Sequence, residues 1–207
     1  VGCAMACTFC LTGDMGLVRQ LKPSEIANQP FQVGRTLPEG TRITNLVLMG
    51  MGEPLHNLKS VVTALEIALD EDALNFSHRK ITVSTVGMVH KLDAIADALP
   101  VNLAISLNAT TDEQRDKVMP INRRFNIEAL LEKCRTVKLP PGKRITFEYV
   151  MMGGFNDSMD DARRLAKLMR GIKAKVNLIP YNTNPQRGIV RPTDERVKQF
   201  QDYLVRR

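Results

Sequence analysis

Three cysteines, Cys3, Cys7 and Cys10, stand within eight residues in "CAMACTFC", a C-x3-C-x2-C spacing. Thiols this close in sequence are not independent core residues, and from one short loop their thiolates can converge on a single inorganic centre. A structural zinc site closes with four ligands, and the common iron-sulfur clusters also take four. Three ligands point instead to an open position, such as a [4Fe-4S] cluster whose fourth iron is left for a substrate or cofactor. Two alternatives stay open on spacing alone. One is a zinc knuckle completed by His56, His78 or His90, none of which lies at a short ligand spacing from the cysteines; the other is a reactive thiol pair. The fourth cysteine, Cys134, follows Leu130 and Leu131 at helical spacing in "ALLEKCRTV" and reads as a small buried hydrophobe.

A loop of this kind needs a frame to hold it against a binding surface. Five segments rich in β-branched and apolar residues, 43–50, 80–87, 101–109, 144–154 and 175–182, are bounded by turn signals and predict strands. Amphipathic stretches at 57–70, 90–99, 126–137 and 157–172 predict intervening helices. In the first, Leu58, Val61, Val62, Leu65 and Leu69 recur at helical spacing behind a candidate cap, Asn57. Alternating units with near-continuous apolar strands predict an α/β fold: a parallel sheet covered by helices, with right-handed crossovers. Each predicted strand finishes in Gly, Ser or Asn: "GMGEP" at 50–54, Ser84 to Gly87, Ser106 to Asn108, Gly153 and Gly154, and Asn182. Ligands bind at the carboxyl edge of such strands, so these residues together outline a lined site, although caps and turns use the same residue types.

At 207 residues, with 43% hydrophobic and 25% charged, the chain can form one large domain or two small ones around a sizeable core. No apolar run is long enough for a membrane span. The sequence opens on Val1 without a basic stretch followed by an apolar one, so no export signal is read. Clustered cysteines do not suit a secreted disulfide framework, and a cytoplasmic location is expected. A formal net charge of +7, with basic clusters at 78–80, 122–125 and 205–207, favours a polyanionic partner such as RNA.

Phe9 before the third cysteine completes a pattern that resembles the signature of the radical S-adenosylmethionine (SAM) enzymes. "VGCAMACTFC", "LVLMGMGEPLHNL", "ITVSTVGMV", "LAISLNATTDEQRDKVMPINRRFNI", "TFEYVMMGGFND" and "VNLIPYN" occur in one order. That order is similar to the radical SAM adenine C2-methyltransferases of 23S rRNA and tRNA, over essentially the whole chain. The resemblance implies a partial TIM-like (β/α)6 barrel with mostly parallel strands, residues 1–207 forming the radical SAM core domain. It implies Cys3, Cys7 and Cys10 as ligands of a [4Fe-4S] cluster, and Gly52, Glu53, Ser84, Ser106, Leu107, Asn108 and Asn182 as SAM contacts. Glu53 would accept from the SAM ammonium through a charge-assisted hydrogen bond. Asn108 stands where the family often has His, so a surviving contact with altered pH behaviour is expected; Val86 stands where some members have a second Ser.

In the family one SAM methylates a cysteine near the C-terminus and a second supplies the radical that activates that methyl group. The resulting carbon adds to adenine C2, and a further cysteine before the cluster loop resolves the covalent link. Cys134 matches neither position. The chain is therefore expected to be the central part of such an enzyme, without the first barrel strand, the N-terminal accessory domain or the C-terminal tail. RNA, a flavodoxin-type electron donor and a monomeric state are the implied partners and assembly. A sibling that methylates adenine C8 shares these motifs. From another class, a zinc-stabilised RNA-binding domain without catalysis stays open.

Overall fold

Each of the five apolar segments forms a strand in the computed structural model, which describes residues 1–207 apart from the side chain of Pro185. In chain order the elements are the single turn α1 (Leu11–Asp14), α2 (Pro23–Thr36), β1 (Leu46–Leu48), α3 (Leu58–Leu69), β2 (Ile81–Thr85), α4 (Leu92–Ala98) and β3 (Asn102–Ser106). There follow α5 (Asp112–Val118), α6 (Ile127–Thr136), β4 (Ile145–Met151), α7 (Met159–Leu168), β5 (Ala174–Pro180) and α8 (Asp194–Val205). Every strand pairing is parallel, and the strands lie in chain order from β1 to β5. That is the winding of a partial barrel, in which each strand pairs with the next, rather than of a doubly wound sheet. Among the described residues no helix is long and apolar enough to cross a membrane.

Residues alternate between two environments along the strands, as a pleated backbone requires. Ile81 and Val83 of β2, Leu103 and Ile105 of β3, and Ile145, Phe147, Tyr149 and Met151 of β4 point into the main core. There they meet Leu65, Leu92, Ile95, Leu130, Leu131, Leu165 and Phe200 from the helices. Intervening positions face the other way, and the parallel register sets Ser84 beside Ala104, Ser106 beside Glu148, and Glu148 beside Asn177. The helix-covered face is thus apolar and the opposite face carries polar side chains.

Two details differ from the sequence reading. Asn57 precedes α3, but its side chain makes no cap; it donates to the Leu21 carbonyl (2.8 Å), because a 3-10 turn over Pro54–Asn57 runs directly into the helix. Helices α2, α5 and α8 carry no prediction from periodicity. Pro30 and Gly34 interrupt the pattern of α2, and α5 is seven mostly charged residues. Helix α8 is announced by its cap, since the Thr193 hydroxyl accepts from the Arg196 N–H with Asp194 and Glu195 in the first turn.

Candidate functional site

The cysteine loop is pinned from several sides. The Cys3 N–H donates to the Gly16 carbonyl (2.8 Å), Gly2 pairs with Leu17, the Cys10 N–H donates to the Cys7 carbonyl (3.1 Å), and the Gly13 N–H to the Cys10 carbonyl (3.1 Å). Gly2 has a φ of +79°, and a β-carbon there would sit 1.9 Å from the Gly16 oxygen, so no other residue fits. From α5 the Val118 carbonyl accepts from the Thr8 N–H (3.0 Å). Beyond β5, Arg187 donates to the Thr8 carbonyl, to the Cys10 carbonyl (2.9 Å) and to Asp14.

Cys7 is buried in a second, smaller core with Val118, Met119, Met152 and Tyr181, whereas Cys3 and Cys10 are half-buried. Burial pushes the Cys7 thiol up to about 12, with further upward pressure from Cys10 and Cys3, so the three thiols feel one another. Burial likewise raises Cys3. Among the described residues no three His, Cys, Asp or Glu side chains converge on a point that one metal ion could fill. Mononuclear zinc needs that convergence, whereas the ligands of an iron-sulfur cluster bind separate irons. The histidines are engaged elsewhere: His56 with Gln20 (3.2 Å), His78 with the Pro100 carbonyl (3.2 Å), and His90 in a stack on Phe125 (5.3 Å between centroids). Three thiols on one pinned loop, with the histidines engaged elsewhere, fit a three-cysteine cluster.

Around the loop lie the strand ends. Gly52, with a φ of +115°, packs against the loop, since a β-carbon there would be 3.4 Å from the Gly2 oxygen. Glu53 is buried, and its carboxylate accepts from the Leu55 N–H (2.9 Å) and the Val86 N–H (2.7 Å), tying the end of β1 to that of β2. Burial raises its pKa against these hydrogen bonds and the attraction of Lys91. A cavity of about 460 Å³ brings Cys3, Gly52 and Glu53 together, and runs on between α2, β1 and α3 along Leu46, Leu48 and Leu65. Ser84 and Ser106 lie on the polar face of the sheet, outside that cavity, and Asn182 is exposed just beyond β5.

Leu107 and Asn108, the other two expected SAM contacts, are buried where β3 ends. The Leu107 side chain is in the main core, its N–H donates to the Glu148 carbonyl (3.0 Å), and its carbonyl accepts from Arg115 (3.1 Å). Asn108 is 1% exposed: its Oδ1 accepts from the Val150 N–H (2.8 Å), its Nδ2 meets the Met119 sulfur (3.3 Å), and its carbonyl accepts from Asn156 (2.9 Å). Its φ of +56° explains an asparagine there, because Asn tolerates the left-handed region and can bond locally. Through these bonds both residues lock the sheet edge beside Ser106.

Sequence reading also passed over Glu148 and Asn177. They meet on the polar face, where the Asn177 amide donates to Glu148 (2.7 Å) and burial raises the carboxyl's pKa. Only the register makes the row Ser106, Glu148 and Asn177 visible; in sequence each is one polar residue in an alternating strand. Together these residues offer thiolates for a cluster beside donors and acceptors for a small polar cofactor at the carboxyl edge.

Residues 1–168 match the model of the Radical SAM superfamily. The chain belongs to that superfamily, whose members use SAM and an iron-sulfur cluster. It is similar to the "Dual-specificity RNA methyltransferase RlmN" of Anaeromyxobacter sp. (strain Fw109-5), at 56% identity over 213 residues, covering 100% of this chain and 56% of that protein. The protein of the same name from Geobacter sulfurreducens is 49% identical over 205 residues, covering 99% of this chain and 56% of its own length. The crystal structure of a radical SAM methyltransferase from Sphaerobacter thermophilus matches with a TM-score of 0.95 and 43% identity, over 100% of this chain and 61% of that one. Streptococcus suis SuiB bound to S-adenosylmethionine, at 14% identity and a TM-score of 0.67 over 99% of this chain and 44% of that one, shares the fold alone. The chain thus spans little more than half the length of the curated relatives it matches.

Proposed function

We propose that residues 1–207 form the SAM-cleaving core of an RNA methyltransferase that acts on adenine C2 in 23S rRNA, tRNA or both. The observation that carries this is the match of the entire chain, at 56% identity, to a protein named for dual-specificity RNA methylation. In this reading Cys3, Cys7 and Cys10 hold a [4Fe-4S] cluster, and SAM lies across Gly52, Glu53, Ser84, Ser106, Leu107, Asn108 and Asn182. Bound together, cluster and SAM supply radical chemistry through one-electron cleavage of the sulfonium.

The chain's own residues position and shield. Glu53 is oriented by two backbone N–H groups and keeps lone pairs for an ammonium, whose arrival would favour the carboxylate that burial disfavours. Val118, Met119, Met152 and Tyr181 keep water from the Cys7 side of the loop. Glu148, Asn177 and Ser106 offer acceptors and donors to hydroxyl or amide groups on the polar face. Cys134 is 5% exposed within α6, so methyl-carrying and resolving thiols belong to residues outside these. Cysteines clustered in one loop do not suit a secreted disulfide framework, and the cytoplasm is the working compartment in this proposal. The net charge of +7 supports an RNA partner. A flavodoxin-type donor and a monomer complete the proposal.

Anaerobic reconstitution with iron and sulfide tests it. One cluster per chain should load, and dithionite should then drive SAM cleavage; stoichiometric zinc with no SAM cleavage would overturn the enzyme reading. With the longer natural protein, 2-methyladenosine is the expected product, and 8-methyladenosine would move the assignment to the C8 sibling.

A further inference from the structure

Arg115 is fully buried, and heads the largest side chains that are. It lies on α5, between the strand ends and the cysteine loop. Its guanidinium donates to the carbonyls of Val86 (2.8 Å), Leu107 (3.1 Å), Ser106 (3.2 Å) and Phe125 (3.3 Å), and to Oδ1 of Asn122 (3.1 Å). All five acceptors are neutral, and among the described residues Arg115 forms no ion pair. Such a cup satisfies the N–H groups without cancelling the charge, and a buried charge is unfavourable until an anion balances it.

The neighbouring carboxylates have other work. Asp112 accepts from the Ile127 N–H (2.9 Å) and Asp116 from the Asn122 amide (2.8 Å). Helix α5 runs straight from Arg115 to the cysteine loop: the carbonyls of Lys117 and Val118 accept from Thr8 (3.5 and 3.0 Å), and Val118 packs in the small core with Cys7. Burial pulls the guanidinium down to about 10, and Cys7 is the group that opposes this most. The side chain is therefore cationic at neutral pH, and the thiol it feels most strongly is one of the three that would hold a cluster.

We propose that Arg115 is a built-in counter-charge for the anionic cluster held by Cys3, Cys7 and Cys10, stabilising its reduced form and raising its reduction potential. The inference rests on the reading of those cysteines as cluster ligands. Three thiolates leave the assembly negative, and reduction adds one more electron without any bond made or broken. In a low-dielectric surrounding a fixed cation favours the state with the added electron. Since the hydrogen bonds of Arg115 go to backbone carbonyls and Asn122, it is a positioning and potential-setting residue, not a catalytic one.

The test is a redox titration of the reconstituted chain with dithionite as electron source, following the reduced cluster by electron paramagnetic resonance. Arg115→Gln should move the midpoint to more negative potential, while Arg115→Lys, which keeps the charge and loses the fork, should stay near the parent. A loaded Arg115→Gln protein with the parent's midpoint overturns the proposal. Should that variant fail to fold, Asp116→Asn removes a negative charge beside the guanidinium and leaves an oxygen for Asn122. Its midpoint should rise, and an unchanged midpoint overturns the proposal. If the parent loads no cluster at all, the cluster reading itself falls, a result distinct from a loaded cluster whose potential ignores Arg115.

Discussion

The β1 side of this sheet and its middle are packed to different degrees. Strand β4 buries five of its seven residues, and β2 and β3 each bury three of five. On the β1 side no residue of β1, α1 or α2 is fully buried, and a cavity of about 460 Å³ opens between β1, α2 and α3; the far edge strand, β5, has no fully buried residue either. The cysteine loop reaches the thin side through Gly2 and Cys3 and the small core through Cys7, while the polar locks, Asn108 with Asn156 and the Arg115 cup, belong to the dense one. Stability is spread unevenly in such a molecule, and ligand-holding segments come from the part that opens most easily. A cluster bound on the thin side would add its binding energy to folding there, since ligation of thiolates is coupled to local structure.

The largest effect should come from the dense side. Phe147→Ala removes a fully buried ring from the middle of β4 and should lower unfolding stability by about 3–5 kcal/mol, read from urea denaturation. A loss below about 1 kcal/mol would show that the frame is not as tightly packed as its burial indicates. Next, Asn156→Ala strands three backbone groups, the Met152 N–H (2.7 Å) and the carbonyls of Val150 (2.8 Å) and Asn108 (2.9 Å). A loss on the order of 3 kcal/mol is expected, and should persist with the cluster loaded.

On the thin side the readout changes. Gly2→Ala forces a β-carbon onto the Gly16 oxygen, so iron and sulfide incorporation should collapse while the urea midpoint of the unreconstituted chain barely moves. Equal loss in both measurements would mean that loop and frame unfold as one unit. Cys7→Ala should lose the cluster and Cys134→Ala should keep it, which iron analysis after reconstitution decides.

The smallest effect is a pH term. Burial raises Glu148, so the folded chain keeps that proton to higher pH than the unfolded chain does. Stability from this group is present in acid and is lost as pH climbs from the ordinary carboxylate value through the raised one. Glu148→Gln retains an acceptor for Asn177 and should flatten this part of the curve between acidic and neutral pH. An identical slope in parent and variant would argue that Glu148 ionises normally.

Much of the frame can be read from the sequence because strand burial depends on a short-range pattern. Four strands fall within their apolar segments and β5 begins one residue before its own, and the alternation with helices is enough to imply the parallel sheet. The cysteine spacing and the "GMGEP" segment are local, and they meet at one end of the cavity. What escaped the sequence depends on three-dimensional facts. The left-handed backbone of Asn108 and its bond to Val150 cannot be seen in "SLNA". Arg115 stands among charged neighbours in "DEQRDK", a stretch that reads as solvated surface, and only the packing of α5 on the strand ends buries it. Glu148 and Asn177 become a pair only when β4 and β5 are set in register.

The alternation along the strands separates two sets of instructions on one backbone. Ile105 and Phe147 answer to the helices, while Ser106 and Glu148, each one position further on, answer to whatever occupies the opposite face. Substitutions at the second set can change what is bound there without disturbing the packing maintained by the first. A fold arranged in this way can keep its frame fixed while its chemistry is rewritten one alternate residue at a time.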